Sequence, residues 1–198
     1  MKYYQDITLL RDARIGLYDY WQKLFPQIHL ALVENKLGEN ASAVGVAFPE
    51  YDADEFFLGS KLRLFAKNAQ ELERLQLERW LNRLSDYMRI SAIQPVPEQV
   101  DGHAYFKHVK PKGSREKMAR RRAKRNGESF EQAMAHFDGY QEERSRLPFI
   151  HMHSESNGHR FRLFIDKEIV EHAQDGEFNC YGLSSRNPDN QATVPWFE

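Results

Sequence analysis

Apolar and polar positions change period several times along the 198 residues, and the changes mark out elements. Tyr3, Gln5, Ile7 and Leu9 alternate with Tyr4, Asp6 and Thr8, the period of two that predicts a first strand over Tyr3 to Leu10. From Leu17 to Val33 the period becomes helical, with Leu17, Trp21, Leu24, Ile28, Ala31 and Leu32 on one stripe, and Pro26 is expected to interrupt that helix or restart it. Ala43 to Phe48 and Lys61 to Ala66 read as short strands. Asn68 then suits the N-cap of a second helix marked by Leu72, Leu75, Trp80, Leu84 and Tyr87, and Ile90 to Gln94 supplies a fourth strand. The order β-α-β-β-α-β is the split βαβ pattern, so the fold class expected is α+β with a ferredoxin-like domain over residues 1–97, ended by the stiff run Pro95-Val96-Pro97.

The second half, residues 98–198, has a different texture and is read as a smaller α+β domain. A basic helix is expected over about residues 114–126, followed by an amphipathic helix around Phe130 to Tyr140. Three strand-like runs close the chain: Phe149 to Ser154, Arg160 to Ile165 and Glu177 to Tyr181, with Asn157-Gly158 as a hairpin turn between the first two.

Charge sharpens this picture. The chain carries 28 Lys and Arg against 29 Asp and Glu, yet Lys107 to Arg125 alone holds ten cations and one acid, Glu116. Removing that segment leaves 18 cations against 28 acids, so the positive charge is concentrated where a polyanion would meet it. As a helix, Arg115 to Arg125 puts Ala119 and Ala123 on one narrow face and cations round most of the rest. Consecutive Arg120, Arg121 and Arg122 favour nucleic acid, because guanidinium forks hold phosphates and guanine edges in fixed geometry. No apolar run approaches the ~20 residues that span a bilayer, and the start of the chain lacks the apolar core of a signal peptide. With a single cysteine, Cys180, the expected compartment is the cytoplasm, and Cys-based zinc modules are excluded. No metal or other cofactor is expected.

Some polar residues attract chemical interest. His29 lies about 100° from the centre of the apolar stripe of its helix, either idle on the surface or placed as a general base. Ser154 and Ser156 share a strand face, where hydroxyls would orient a ribose or phosphate or simply form a turn. His151 and His153 share a face as well, and Asp166 or His159 would complete a weak metal-site pattern. Tyr181-Gly182-Leu183-Ser184 reads as a tight turn or a strand end.

Six segments in order carry a further resemblance. They are Leu24-Phe25-x-x-x-His29-x-Ala31-Leu32, Gly45-Val46-x-Phe48-Pro49, Leu58-Gly59-x-x-Leu62-Arg63, the run from Leu147-Pro148-Phe149 through Ser154-x-Ser156-x-Gly158 to Phe161-Arg162-Leu163-Phe164-Ile165, then Cys180-Tyr181-Gly182-Leu183-Ser184, and Val194-Pro195-Trp196-Phe197. Arranged around an Arg-rich helix, they make the chain resemble the CRISPR-associated repeat-cleaving endoribonucleases of type I-F systems over its full length.

The resemblance implies a helix inserted into the groove of the repeat's RNA hairpin, and cleavage at the 3′ base of the stem. It implies His29 as general base, Ser154 as the holder of the attacking 2′-hydroxyl and Tyr181 beside the site. Ser156 would bind the backbone and Phe161 would stack on the closing base pair. Arg115, Arg121, Arg122, Lys124 and Arg125 would bind RNA from the helix. His108 and Lys110 stand where Arg and Gln read stem bases in the family, and Lys124 stands where an Arg is familiar. The implied partners are the CRISPR repeat stem-loop, the mature guide RNA and other subunits of a type I-F surveillance complex, with no membrane. Two other readings stay open on the residues alone: a non-catalytic hairpin-binding subunit, and a metal-dependent phosphodiesterase built on His151, His153 and Asp166.

Overall fold

A computed structural model describes residues 1–10, 16–52, 57–111, 113–140, 146–154 and 158–197. The chain is α+β and divides into two compact units, Met1–Val109 with Leu147–Glu198, and Lys110–Arg146. In the first unit, β1 (Tyr3–Leu9) pairs antiparallel with β3 (Lys61–Ala66) on one side and β4 (Met88–Ile90) on the other, while β2 (Gly45–Ala47) pairs with β3. The order β2-β3-β1-β4 is compatible with a ferredoxin-like arrangement. Register follows burial: fully buried Ile7 stands opposite fully buried Leu62, and Leu9 opposite buried Met88. On the other face Asp6 stands opposite Arg63, whose Nε donates to the Asp6 carboxylate at 2.7 Å. Arg63 also donates to the carbonyl of Phe197 at 2.8 Å, which fastens the C-terminal end of the chain to this sheet.

Helix α1 (Leu17–Glu34) runs unbroken through Pro26. A mid-helix proline costs about 3 kcal/mol, but this helix buries Tyr20, Trp21, Leu24, Phe25, Ile28, Ala31 and Leu32 together, and their burial outweighs the lost backbone bond. The expected second helix is instead two short ones, α2 (Ala69–Glu73) and α3 (Leu77–Leu81), continued by a 3₁₀ turn over Asn82–Tyr87. The break is at Gln76, held at φ 48°. Asn68 does cap α2, accepting from the backbone N–H of Glu71 at 3.1 Å, and the Glu71 carboxylate accepts from the Asn68 N–H. The expected fourth strand splits as well, into β4 and a two-residue β5 (Gln94–Pro95), both paired to β1.

The second sheet is ordered β7-β8-β6-β9, from β6 (Gly102–Val109), β7 (Phe149–His153), β8 (Arg160–Val170) and β9 (Val194–Trp196). The first sheet thus ends at Pro95 and the second begins at Gly102, and one continuous apolar core serves both. Strand β6 has no counterpart in the sequence reading, and β8 runs five residues past the expected end at Ile165. Glu177 to Tyr181 is not a strand: Glu177 and Phe178 make isolated bridges and the chain then turns.

The second unit is built on α4 (Arg115–Asn126) and α5 (Phe130–Ala135), which pack together. Ser114 caps α4 through the Lys117 N–H, and Gly127 ends it at φ 68°. Ser129 and Gln132 form a reciprocal capping box at the start of α5.

Candidate functional site

His29 stands on α1 beside the buried stripe, half-buried. Its Nδ1 lies 2.8 Å from the carbonyl oxygen of Cys180, 151 residues further along the chain. A carbonyl oxygen only accepts, so in the neutral ring the proton sits on Nδ1 and the lone pair on Nε2. Burial lowers the pKa of His29 below the ordinary 6.5, and the bond to Cys180, which favours the charged ring, opposes this only in part. The imidazole is therefore neutral near pH 7, with one basic nitrogen of defined identity. Tyr181 fixes the ring plane by stacking on it, with centroids 4.1 Å apart and 12° between planes. Burial raises the pKa of the Tyr181 hydroxyl, as does neighbouring Cys180, so Tyr181 stays protonated beside the base.

The turn from Asn179 to Leu183 delivers both contacts. Asn179 Oδ1 accepts from the N–H of Tyr181 at 2.8 Å and of Leu183 at 3.3 Å, and the Gly182 N–H donates to the Asn179 carbonyl at 2.8 Å. Gly182, at φ +68°, passes so close to β2 that a Cβ there would stand 2.4 Å from Val46 Cγ1. Its carbonyl accepts from the Val46 N–H at 2.9 Å, and Asn40 Oδ1 accepts from the Cys180 N–H at 3.3 Å. Asn40 and Asn179 escaped the sequence reading. The signal for Asn179 was local, since an Asn two residues before a turn residue commonly accepts that residue's N–H.

His29 and Tyr181 are thus in direct contact, whereas Ser154 and Phe161 belong to the β7–β8 hairpin. Ser154 follows β7, its N–H donating to the His159 carbonyl at 2.9 Å and its carbonyl accepting from Gly158 at 2.8 Å, so the backbone holds it at the hairpin turn. Phe161 shares the core-side face with Met152, opposite it in register, and is packed against the core. Ser156 lies outside the described residues.

Two residues of the metal pattern have other neighbours. His151 takes a hydrogen bond from Arg162 Nε at 3.3 Å on Nε2 and contacts the Tyr18 hydroxyl through Nδ1, and Asp166 stands opposite Lys107 across β6. Among the described residues no group of three His, Cys, Asp or Glu side chains comes together as a cation site. His108, in β6, is bonded by Arg186: one guanidinium nitrogen is 2.5 Å from His108 Nδ1, and Nε donates to its carbonyl at 3.2 Å.

In the second unit, Lys110 is exposed, and apart from Arg120, which pairs with Glu116 one turn back, the cations of α4 sort into two sets. Arg115 and Arg122 flank the buried Ala119. Arg115 donates to the Met134 carbonyl at 3.1 Å and pairs with Asp138, and Arg122 Nε lies 2.7 Å from a Glu128 oxygen as an ion pair not aligned as a hydrogen bond. Lys117, Arg121, Lys124 and Arg125 fall at i, i+4, i+7 and i+8, one face turned away from Ala119, and all four are exposed. Such a row of cations is the surface a phosphate backbone takes.

The chain is 32% identical over 198 residues, the whole of both chains, to the CRISPR-associated endonuclease Cas6/Csy4 of Escherichia coli (strain UTI89 / UPEC). It is also 32% identical over 198 residues, again the whole of both, to the CRISPR-associated endonuclease Cas6/Csy4 of Pseudomonas aeruginosa (strain UCBPP-PA14). Matched from residue 4 to residue 197 by the family model described as CRISPR-associated protein (Cas_Csy4), the chain belongs to that family.

Proposed function

We propose that this protein is a CRISPR repeat endoribonuclease that cuts precursor guide RNA at the 3′ base of the repeat stem-loop without a metal ion. The names of its full-length relatives support nuclease action. One observation carries the mechanism: His29 is held neutral, with its lone pair on Nε2. In this reading Nε2 takes the proton of a 2′-hydroxyl and Ser154 holds that oxygen in line with the 5′-oxygen. The 2′-oxygen bonds to phosphorus, the phosphorus–5′-oxygen bond breaks, and the leaving oxygen takes up a proton from water, whose hydroxide takes the proton back from the His29 imidazolium. The products are a 2′,3′-cyclic phosphate and a 5′-hydroxyl. Alignment of an internal nucleophile supplies much of the rate, since well-oriented intramolecular reactions reach effective molarities of about 10⁵ M or more.

Binding divides from chemistry. Residues 1–97 act as the ferredoxin-like domain that carries the base, and residues 98–198 as the hairpin-binding domain. Arg121, Lys124 and Arg125 meet the hairpin groove, Arg115 and Arg122 add charge from the packed flank, and His108, Lys110, Ser156 and Phe161 complete the RNA contacts. Tight stem binding keeps the protein on the mature guide RNA, where other subunits of a type I-F surveillance complex join it in the cytoplasm. No helix among the described residues is long and apolar enough to cross a membrane.

The test is to incubate the protein with its own system's repeat RNA in EDTA, beside the same RNA carrying one 2′-deoxy nucleotide immediately upstream of the scissile phosphate. The first RNA is expected to be cut and the second to bind equally well and stay whole. Cleavage that needs a divalent metal, or cleavage of the 2′-deoxy RNA, overturns the mechanism.

A further inference from the structure

The β7–β8 hairpin has a second face that the chemistry above leaves unused. Register puts Phe149, His151 and His153 opposite Phe164, Arg162 and Arg160, on the side away from Ile150, Met152, Leu163 and Phe161. Four aromatic or imidazole groups and two arginines thus share this surface with no carboxylate among them, and His153, Arg160 and Arg162 are exposed. From α1, Tyr18 reaches onto the same surface while remaining 41% exposed. Its ring meets Phe149 edge-on at 5.9 Å between centroids and His151 at 5.7 Å. The Arg162 guanidinium lies over the Phe149 ring at 4.9 Å.

The hydrogen bonds give this cluster a direction. Arg162 Nε donates to His151 Nε2, so the proton of the neutral ring sits on Nδ1 and is given to the Tyr18 oxygen. The Tyr18 O–H is then left to donate elsewhere. A stackable ring, a hydroxyl donor and two guanidinium groups on one surface are what a single RNA strand binds: bases on aromatic faces, phosphates on cations. Asp19, beside Tyr18, sets one negative charge against two arginines and does not reverse the sign.

We infer that this face binds single-stranded RNA flanking the repeat stem. The inference rests on the proposed substrate, and continuity argues for it, because β7 runs directly from Phe149 through His153 into Ser154, the residue proposed to hold the reacting ribose. A flanking strand held here would draw the scissile nucleotide toward Ser154 from the single-stranded side.

The test measures affinity for the repeat hairpin with and without its natural single-stranded flank, both blocked by the 2′-deoxy substitution. The flank should strengthen wild-type binding roughly tenfold, the scale of one base stacked on an aromatic ring. Tyr18→Ala and Arg162→Ala should each remove most of that gain while leaving affinity for the bare hairpin as in the parent, which also shows that the variants are folded. Tyr18→Phe, which keeps the ring and loses the donor, should keep part of it. An equal gain in parent and variants overturns the inference. So does no gain in the parent, which would make an acidic protein partner the better occupant. Failure of the parent to bind even the bare hairpin refutes the substrate itself, and with it both proposals.

Discussion

Replacing Gly182 with Ala tests whether the turn beneath His29 is as constrained as its geometry indicates. The new Cβ would stand 2.4 Å from Val46 Cγ1, 3.3 Å from Val46 N and 3.4 Å from Leu32 Cδ1. Ordinary contact begins near 3.4 Å, so about 1 Å must be found. Val46 and Leu32 are each only 1% exposed and give little. The turn itself must therefore shift outward, against the bond that ties the Gly182 carbonyl to Val46. The left-handed backbone costs an alanine about 1–2 kcal/mol, and overpacking adds about 1–3 kcal/mol, so the expected loss of stability is about 2–5 kcal/mol. Because the same turn carries the Cys180 carbonyl and the Tyr181 ring, its shift misplaces His29, and a 1 Å error at a reacting group costs about 10² in rate. Chemical denaturation, hairpin binding and single-turnover cleavage read the three consequences separately, with the cleavage rate falling and hairpin affinity holding near the parental value. Gly127→Ala is the control: its φ is also positive, at 68°, but nothing lies within 4 Å of a Cβ there, so only the backbone cost of about 1–2 kcal/mol applies. If Gly182→Ala costs no more than Gly127→Ala and cuts at the parental rate, the account of the turn is wrong.

Cleavage should persist to lower pH than an ordinary histidine allows, since burial lowers the pKa of His29: the rate holds while the ring is neutral and falls as pH drops through a value below 6.5. An acid limb at or above 6.5 in the single-turnover rate would contradict this. The same shift makes the unfolded chain take up the proton first, so its contribution to stability is complete above the unfolded value and is lost as pH falls through the folded one. Arg121→Ala and Arg125→Ala should each weaken hairpin binding by roughly 1–3 kcal/mol and flatten its dependence on salt. Filter binding at several salt concentrations checks this, and unchanged affinity with a slower rate would place these arginines elsewhere. Ser154→Ala should slow cleavage more than it weakens binding, and equal losses in both would deny it the positioning role.

Periodicity made β1 and α1 legible, because each carries one buried stripe, while β2 and β3, buried in succession, were read as short apolar runs. Pro26 misled because the sequence shows the backbone cost of a proline but not the seven side chains that the helix buries together. Strand β6 was illegible for the opposite reason. It is an inner strand that buries Ala104, Tyr105 and Phe106 in succession, so no alternation appears, and its last residues merge into the basic run. His29 could be found by its offset from the apolar stripe, but its basic nitrogen could not be identified, since the carbonyl that settles the tautomer belongs to Cys180 at the far end of the chain. The division of the helix cations was half visible: the four-residue spacings were in the sequence, while the acids that pair with Arg115 and Arg122 lie beyond the helix, Asp138 after α5 and Glu128 in the turn before it.

The central claim is that Nε2 of His29 removes the 2′-hydroxyl proton. Single-turnover cleavage of the repeat hairpin by His29→Ala in EDTA, with affinity measured on the same preparation, tests it most directly. The account predicts a rate lower by about 10² to 10⁴, the usual contribution of a general base, with hairpin affinity close to the parental value. Cleavage by His29→Ala at the parental rate would contradict it.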